Sequence, residues 1–236
     1  WAELPMQAPD RKLLDQNLVV SLDAHQKAAA FDILRTKVQI LVEKKGWSRL
    51  AITSPTPDCG KTTMACNLAL GFARQADLRT ILIELDLRRP SIARMLGTRP
   101  PHDVTSMLRS EVSFAEQAFR IGNNVAVSAA RSASKDPTAI LLNPQTSVSL
   151  EEIESVYAPD LVIFDMPPVL VTDDTRAFLK NVDCAMLVAK AEVSTVSQID
   201  NCEREIGEQT NVLGVVLNQY RYSGDSDAAY ASYYTG

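Results

Sequence analysis

The stretch Ile52-Thr-Ser-Pro-Thr-Pro-Asp-Cys-Gly-Lys-Thr-Thr63 decides how the rest of the chain is read. It continues a short β-like run, Arg49-Leu-Ala-Ile-Thr53, and leads into a segment with helical spacing from Gly60 to about Gln75. A strand-to-helix loop that ends Gly-Lys-Thr is suited to holding phosphate. Backbone N–H groups from Asp58, Cys59, Gly60 and Thr63 and the positive helix end face phosphate oxygens, Lys61 neutralises them, and Thr62 offers a hydroxyl to Mg²⁺. The plain alternative is a Ser/Pro turn entering a capped helix, and context and letters together favour the phosphate loop. Only one glycine, Gly60, lies in a loop that usually carries several. Asp58 stands where glycine often supplies a left-handed backbone, which Asp tolerates better than most residues. Its charge beside phosphate lowers the expected affinity. No Gly-x-Gly-x-x-Gly occurs, which counts against a dinucleotide fold.

Outward from this loop the chain alternates. A helical pattern from His25 to Lys45 precedes it, closed by Gly46. Nearly continuous apolar runs recur at Arg79–Leu85, Leu161–Phe164, Cys184–Ala189 and Val212–Leu217, separated by helical stretches. Short strands that are apolar on both faces predict an α/β fold, a mostly parallel sheet with helices on both faces. Such sheets bind ligands at the carboxyl ends of their strands, here after Thr53, Leu85, Phe164 and Leu217. Between residues 100 and 150 the pattern predicts helices over 103–110 and 113–119 and a short strand at 125–127. The expected division is an irregular arm over 1–23, a domain over 24–222, and a mobile tyrosine-rich tail over 223–236.

Three carboxylates fall at those strand ends. Glu84 and Asp86 are two apart, so alternation puts them on one face. Asp165, in Ile163-Phe-Asp-Met-Pro-Pro168, has the placement of an acid that holds Mg²⁺. Each acid alone reads more readily as a helix or turn cap; three beside this loop favour chemistry. Arg88, Arg89, Arg94 and Arg99 read either as a solvated patch or as contacts to phosphate, an acidic tail or a neighbouring subunit. Asn218 falls where an amide can read a base, though taken alone it reads more readily as a turn residue.

Composition narrows the classes. The 236 residues are 46% hydrophobic and 22% charged with net charge −5, which excludes wholesale disorder and disfavours a nucleic-acid partner. Four scattered Cys and two His leave no zinc-ligand spacing. No apolar run reaches transmembrane length, and the segment reads as cytoplasmic. The chain opens on Trp1 rather than Met, as an excised piece does, with room for a membrane segment outside it. Five of the six tyrosines, Tyr220, Tyr222, Tyr230, Tyr233 and Tyr234, lie in the last 17 residues. They read as phosphoacceptors or as a docking terminus.

Taken in order, Ser54-Pro-x-Pro-x-x-Gly-Lys-Thr62, Glu84-x-Asp-Leu-Arg-Arg-Pro90, Asp165-x-Pro-Pro168, Leu217-Asn218 and the tyrosine cluster resemble the bacterial tyrosine kinases of capsule and exopolysaccharide synthesis, which have a P-loop NTPase fold. The resemblance implies an ATP- and Mg²⁺-dependent autokinase that phosphorylates its own or a neighbour's tail. It implies that Lys61 and Thr62 hold phosphates and Mg²⁺, that Asp86 and Asp165 complete the metal shell, and that Asn218 contacts adenine. Glu84 or Asp86 would position or deprotonate the tyrosine. Implied partners are copies of the chain itself and a membrane polysaccharide co-polymerase that recruits it to the inner face of the membrane. Three departures stand out: Glu84 replaces the family's Asp, Asp58 replaces Gly, and Ala29-x-x-Asp32-x-x-Arg35 replaces Glu-x-x-Arg-x-x-Arg. They keep an ATP-binding switch or scaffold open as a second reading. A partitioning-type ATPase is a third, disfavoured because Pro55 and Thr56 occupy the region of its second lysine.

Overall fold

The computed structural model describes residues 1–221; Tyr222, Tyr230, Tyr233 and Tyr234 lie outside them. Seven strands form one sheet: β1 (Arg49–Thr53), β2 (Thr80–Glu84), β3 (Phe119–Ile121), β4 (Val125–Ser128), β5 (Leu161–Asp165), β6 (Cys184–Lys190) and β7 (Asn211–Asn218). Their order is β3-β4-β2-β5-β1-β6-β7, parallel except for the β3–β4 pair. Helices α1 (Arg11–Gln16), α2 (Ala29–Lys45), α3 (Lys61–Phe72) and α4 (Ile92–Leu96) pack on one face. The opposite face carries α5 (Val104–Leu108), α6 (Phe114–Gln117), α7 (Pro137–Leu142), α8 (Pro144–Tyr157), α9 (Asp174–Phe178) and α10 (Val196–Gly207). The expected sheet covered on both sides is therefore what the chain forms.

Strand alternation sets where the chemistry points. In β5, Val162 and Phe164 enter the α5–α10 layer, while Leu161 and Ile163 enter the layer of α3. Period two then puts Asp165 on the side of α3. The same count along β2, with Leu82 in the α3 layer, puts Glu84 there too. Glu84 and Asp165 are register partners on neighbouring strands.

Two expectations need correction. The helix predicted over 113–119 stops at Gln117, and Phe119-Arg-Ile121 becomes the antiparallel edge strand β3. Three residues are too few to display their alternation, in which Phe119 and Ile121 are buried. The segment 1–23 is also more ordered than an irregular arm. It carries α1, capped by the Asp10 side chain, and Met6 bridges Arg120 beside β3.

Asn67 anchors that segment. The α3 helix is nearly all buried, and Asn67 is a buried amide among its apolar residues. Its Oδ1 accepts from Val20 N, Ser21 N and the Ser21 hydroxyl at 2.7, 3.1 and 2.9 Å. Its Nδ2 donates to the carbonyls of Leu18 and Thr63 at 2.8 and 2.9 Å. One turn along α3, Asp32 pairs with Arg35 and Arg74, and Arg35 donates to the Gly71 carbonyl. The residues at the register of the ring-contact motif thus join α2 to α3 within one chain.

Replacing Asn67 strands buried N–H groups of the 18–21 segment. Asn67→Ala is expected to lower the unfolding free energy by about 2–4 kcal/mol in urea denaturation. A loss below about 0.5 kcal/mol, the range of an ordinary surface change, would show that the segment is not held there.

Candidate active site

The loop after β1 owes its shape to two left-handed residues. Gly60 (φ 88°) caps α3 and Asp58 has φ 62°, the conformation expected of a glycine position. A Cβ on Gly60 would lie 2.3 Å from Asn218 Nδ2, so glycine is required sterically as well. Asn218 Nδ2 donates to the Cys59 carbonyl at 2.8 Å. The end of β7 thus braces the loop, and in this state the Asn218 amide nitrogen serves the backbone rather than a base. No side chain caps α3, which leaves its first N–H groups to an anion.

Lys61 lies at the centre of the site. Its Nζ is 2.7 Å from Asp86 Oδ2, 3.4 Å from the Thr62 hydroxyl and 3.9 Å from Asp165 Oδ1. Asp86 also accepts from Arg89 N at 3.1 Å. Asp165 is 0% exposed, and neither carboxylate oxygen has a hydrogen-bond partner among the described residues. Burial pushes its carboxyl up to about 6, against the pull of Lys61 and Thr62. Burial alone would lower the Lys61 ammonium, but Asp165 and Asp86 outweigh it and hold the ammonium above its usual value.

Glu84 does not join Asp86. The strand ends at Glu84, so alternation no longer governs Asp86, and the shared face predicted for the pair is not formed. Glu84 Oε1 accepts from Ser91 N and Ile92 N, at 2.5 and 2.8 Å, and Oε2 accepts from Ala130 N at 2.9 Å. Burial pushes it up to about 7, opposed by these N–H groups and reinforced by Asp165. The longer side chain reaches past the site and clamps the backbone of two loops.

The site is short of positive charge: one ammonium faces Asp86 and the orphaned Asp165, with Glu84 beside them. A divalent cation fits that deficit. Among the described residues no group of three or more His, Cys, Asp or Glu side chains is arranged to hold a metal alone. Mg²⁺ held by Thr62, Asp86 and Asp165 would take its remaining ligands from phosphate and water, as this ion commonly does.

The site opens into a cleft of about 400 Å³ between loop residues 57–63, 86–94 and 167–172. Pro167 and Pro168 have no N–H to give, and the Pro167 carbonyl is fixed by the hydroxyls of Thr53 and Thr175, both at 2.7 Å. Arg88 makes a forked pair with buried Asp174, at 2.6 and 3.0 Å, and the Thr138 hydroxyl joins Asp174 at 2.6 Å. Thr53, Thr138 and Asp174 escape sequence reading because their partners are distant in the chain; the link from Thr175 to Pro167 is short but follows no periodic pattern. Arg89 and Arg94 line the cleft; Arg99 does not, and its backbone is held by Gln7.

Comparison with known proteins agrees with this geometry. Residues 50–233 match the CobQ/CobB/MinD/ParA nucleotide binding domain family. The tyrosine-protein kinase YwqD of Bacillus subtilis is 27% identical over 198 residues, covering 84% of this chain and 83% of that protein. EpsB of Ralstonia solanacearum, named for the same activity, is 29% identical over 196 residues, 80% of this chain. The chain spans only 26% of the length of EpsB. Among solved structures, the kinase domain of VpsO superposes with TM-score 0.73 at 25% identity, over 82% of this chain and 95% of that one. Cobyrinic acid a,c-diamide synthase of Mycobacterium smegmatis, solved with an ATP analogue and magnesium, shares the fold at TM-score 0.60 and 19% identity, over 79% and 80% of the two chains. The chain belongs to the CobQ/CobB/MinD/ParA nucleotide-binding family, and the resemblance to bacterial tyrosine kinases is borne out by these relatives.

An acid whose folded pKa is raised to about 6 from 3.8 contributes stability in full below 3.8 and loses it as pH rises through 6. Asp165→Asn cannot ionise. Its melting temperature should therefore exceed that of the wild type at pH 8, by about 3–8 °C, with the gap narrowing toward pH 5. A pH-independent difference would contradict a buried Asp165 whose carboxyl is raised by burial.

Proposed function

We propose that this chain is the ATP-dependent phosphoryl-transfer domain of a protein-tyrosine kinase serving capsule or exopolysaccharide production. The observation that carries the reading is Lys61 set between Asp86 and a buried Asp165 that has no hydrogen-bond partner among the described residues, at the foot of a phosphate loop. The names of its relatives support the acceptor class.

In this reading the α3 amides and Lys61 bind the triphosphate, and Lys61 exchanges part of its contact with Asp86 for phosphate oxygen. Mg²⁺, when bound, neutralises charge on the β- and γ-phosphates. The tyrosine oxygen forms a bond to the γ-phosphorus as the bond to the β–γ bridging oxygen breaks. ADP departs with that electron pair. Asp86 accepts the phenolic proton, because Glu84 is already occupied accepting from three backbone N–H groups. Little covalent chemistry is asked of the protein; it positions and stabilises charge.

The acceptors in this proposal are Tyr220, Tyr222, Tyr230, Tyr233 and Tyr234 on the same or a neighbouring chain. Each phosphate adds about −1.5 to −2 charge, so several on one tail repel strongly and can loosen an assembly. A membrane polysaccharide co-polymerase is the proposed partner, with recruitment to the inner face of the membrane. Among the described residues no helix is long and apolar enough to cross a membrane itself. One observation favours the second reading, an ATP-binding switch: Glu84 is occupied by three backbone N–H groups and is not free to serve as a base.

Wild type and Lys61→Met are to be incubated with ATP and Mg²⁺ and assayed for phosphotyrosine by mass spectrometry. The expected result is tail phosphorylation that falls at least about 100-fold in the variant. A wild type that binds ATP and stays unphosphorylated would leave the switch reading in its place. Asp58→Gly removes a charge and a strained backbone from the loop. It should tighten binding of a fluorescent ATP analogue by about three- to tenfold; unchanged affinity would show that Asp58 does not oppose the nucleotide.

A further inference from the structure

The arginines of the cleft are not equivalent. Arg88 is neutralised by its forked pair with Asp174. Arg89 and Arg94 are exposed, line the same cleft, and have no ion-pair partner among the described residues. They stand across from the loop that carries Lys61 and the α3 amides, which already serve the phosphates. Two unbalanced guanidiniums on the open wall of a transfer site select what enters beside the reacting group.

We propose that Arg89 and Arg94 read acidic residues on the acceptor, so that the site favours tyrosines preceded by aspartate or glutamate. The chain's own sequence contains such a segment. Asp225 and Asp227 precede Tyr230 by five and three residues, and residues 222–236 include no Lys or Arg. The chain leaves β7 beside the loop, where Gln219 reaches the Asp58 carbonyl at 3.4 Å. Nine residues from Arg221 to Tyr230 span at most about 30 Å. Arginine suits the task because its planar fork holds a carboxylate at two points. The inference rests on the kinase reading for its acceptor, but peptide capture can be measured without transfer.

The probe is a fluorescent peptide with the sequence of residues 222–236, read by anisotropy with ADP and Mg²⁺ present. The full chain carries Asp225→Asn and Asp227→Asn so that its own tail does not compete. The expected result is binding that weakens about five- to tenfold in Arg89→Gln/Arg94→Gln and also weakens between 50 and 500 mM salt. Charge reversal guards against a folding defect: Arg89→Glu/Arg94→Glu should recover binding of a peptide whose two aspartates are lysines. Equal binding of the native peptide and its Asp→Asn form overturns the proposal, whether or not transfer occurs. So does a variant that loses the ATP analogue while still discriminating between the peptides, since the arginines would then serve the nucleotide. Arginine-dependent capture without phosphotyrosine would uphold this inference and remove the kinase reading instead.

Discussion

One ammonium set against two close carboxylates governs this molecule. Lys61 is within hydrogen-bond reach of Asp86, and its 3.9 Å approach to Asp165 leaves that acid buried with a long ion pair and no hydrogen bond among the described residues. A buried charge without compensation is costly, and the fold tolerates this one because the site is built to receive more positive charge. In the proposed function, metal and phosphate together would restore the balance: a cation would answer the excess carboxylate, and phosphates would answer Lys61 and the open end of α3. Nucleotide binding and the stability of the site are one electrostatic problem.

The sheet creates this arrangement through adjacency and parity. Parallel pairing of β1 with β5 sets the phosphate loop beside Asp165. Alternation then turns Asp165 toward α3, whose first residues are Lys61 and Thr62. The loop itself is held from outside by Asn218 at the end of β7, and the 166–168 loop by Thr53 and Thr175. Rigid bracing of this kind lets a loop with one glycine keep a conformation that most such loops reach with several.

Much of this was legible in sequence, and the limits have physical causes. The loop 52–63, the buried strands and the strand-end acids announce themselves because each is a local pattern with a fixed period. Asp165 and Lys61 meet as the pattern implies. Glu84 misleads because its identity and position fit a group that positions or deprotonates the acceptor, while its extra methylene and the end of β2 carry it to three backbone amides instead. Asn67, Asp174 and Thr175 were missed because their roles depend on pairings tens of residues away, except for the short link from Thr175 to Pro167. The edge strand β3 escaped because three residues cannot establish a period.

The most direct test of the central claim is the dependence of ATP-analogue affinity on Mg²⁺, measured by fluorescence titration of the wild-type chain at pH 7.5. If Asp86 and Asp165 present uncompensated charge, removing Mg²⁺ with EDTA should weaken binding at least about tenfold, because the triphosphate then meets carboxylates with only Lys61 between them. Equal affinity with and without Mg²⁺ would show that the charge deficit does not exist and that Lys61 alone balances the site.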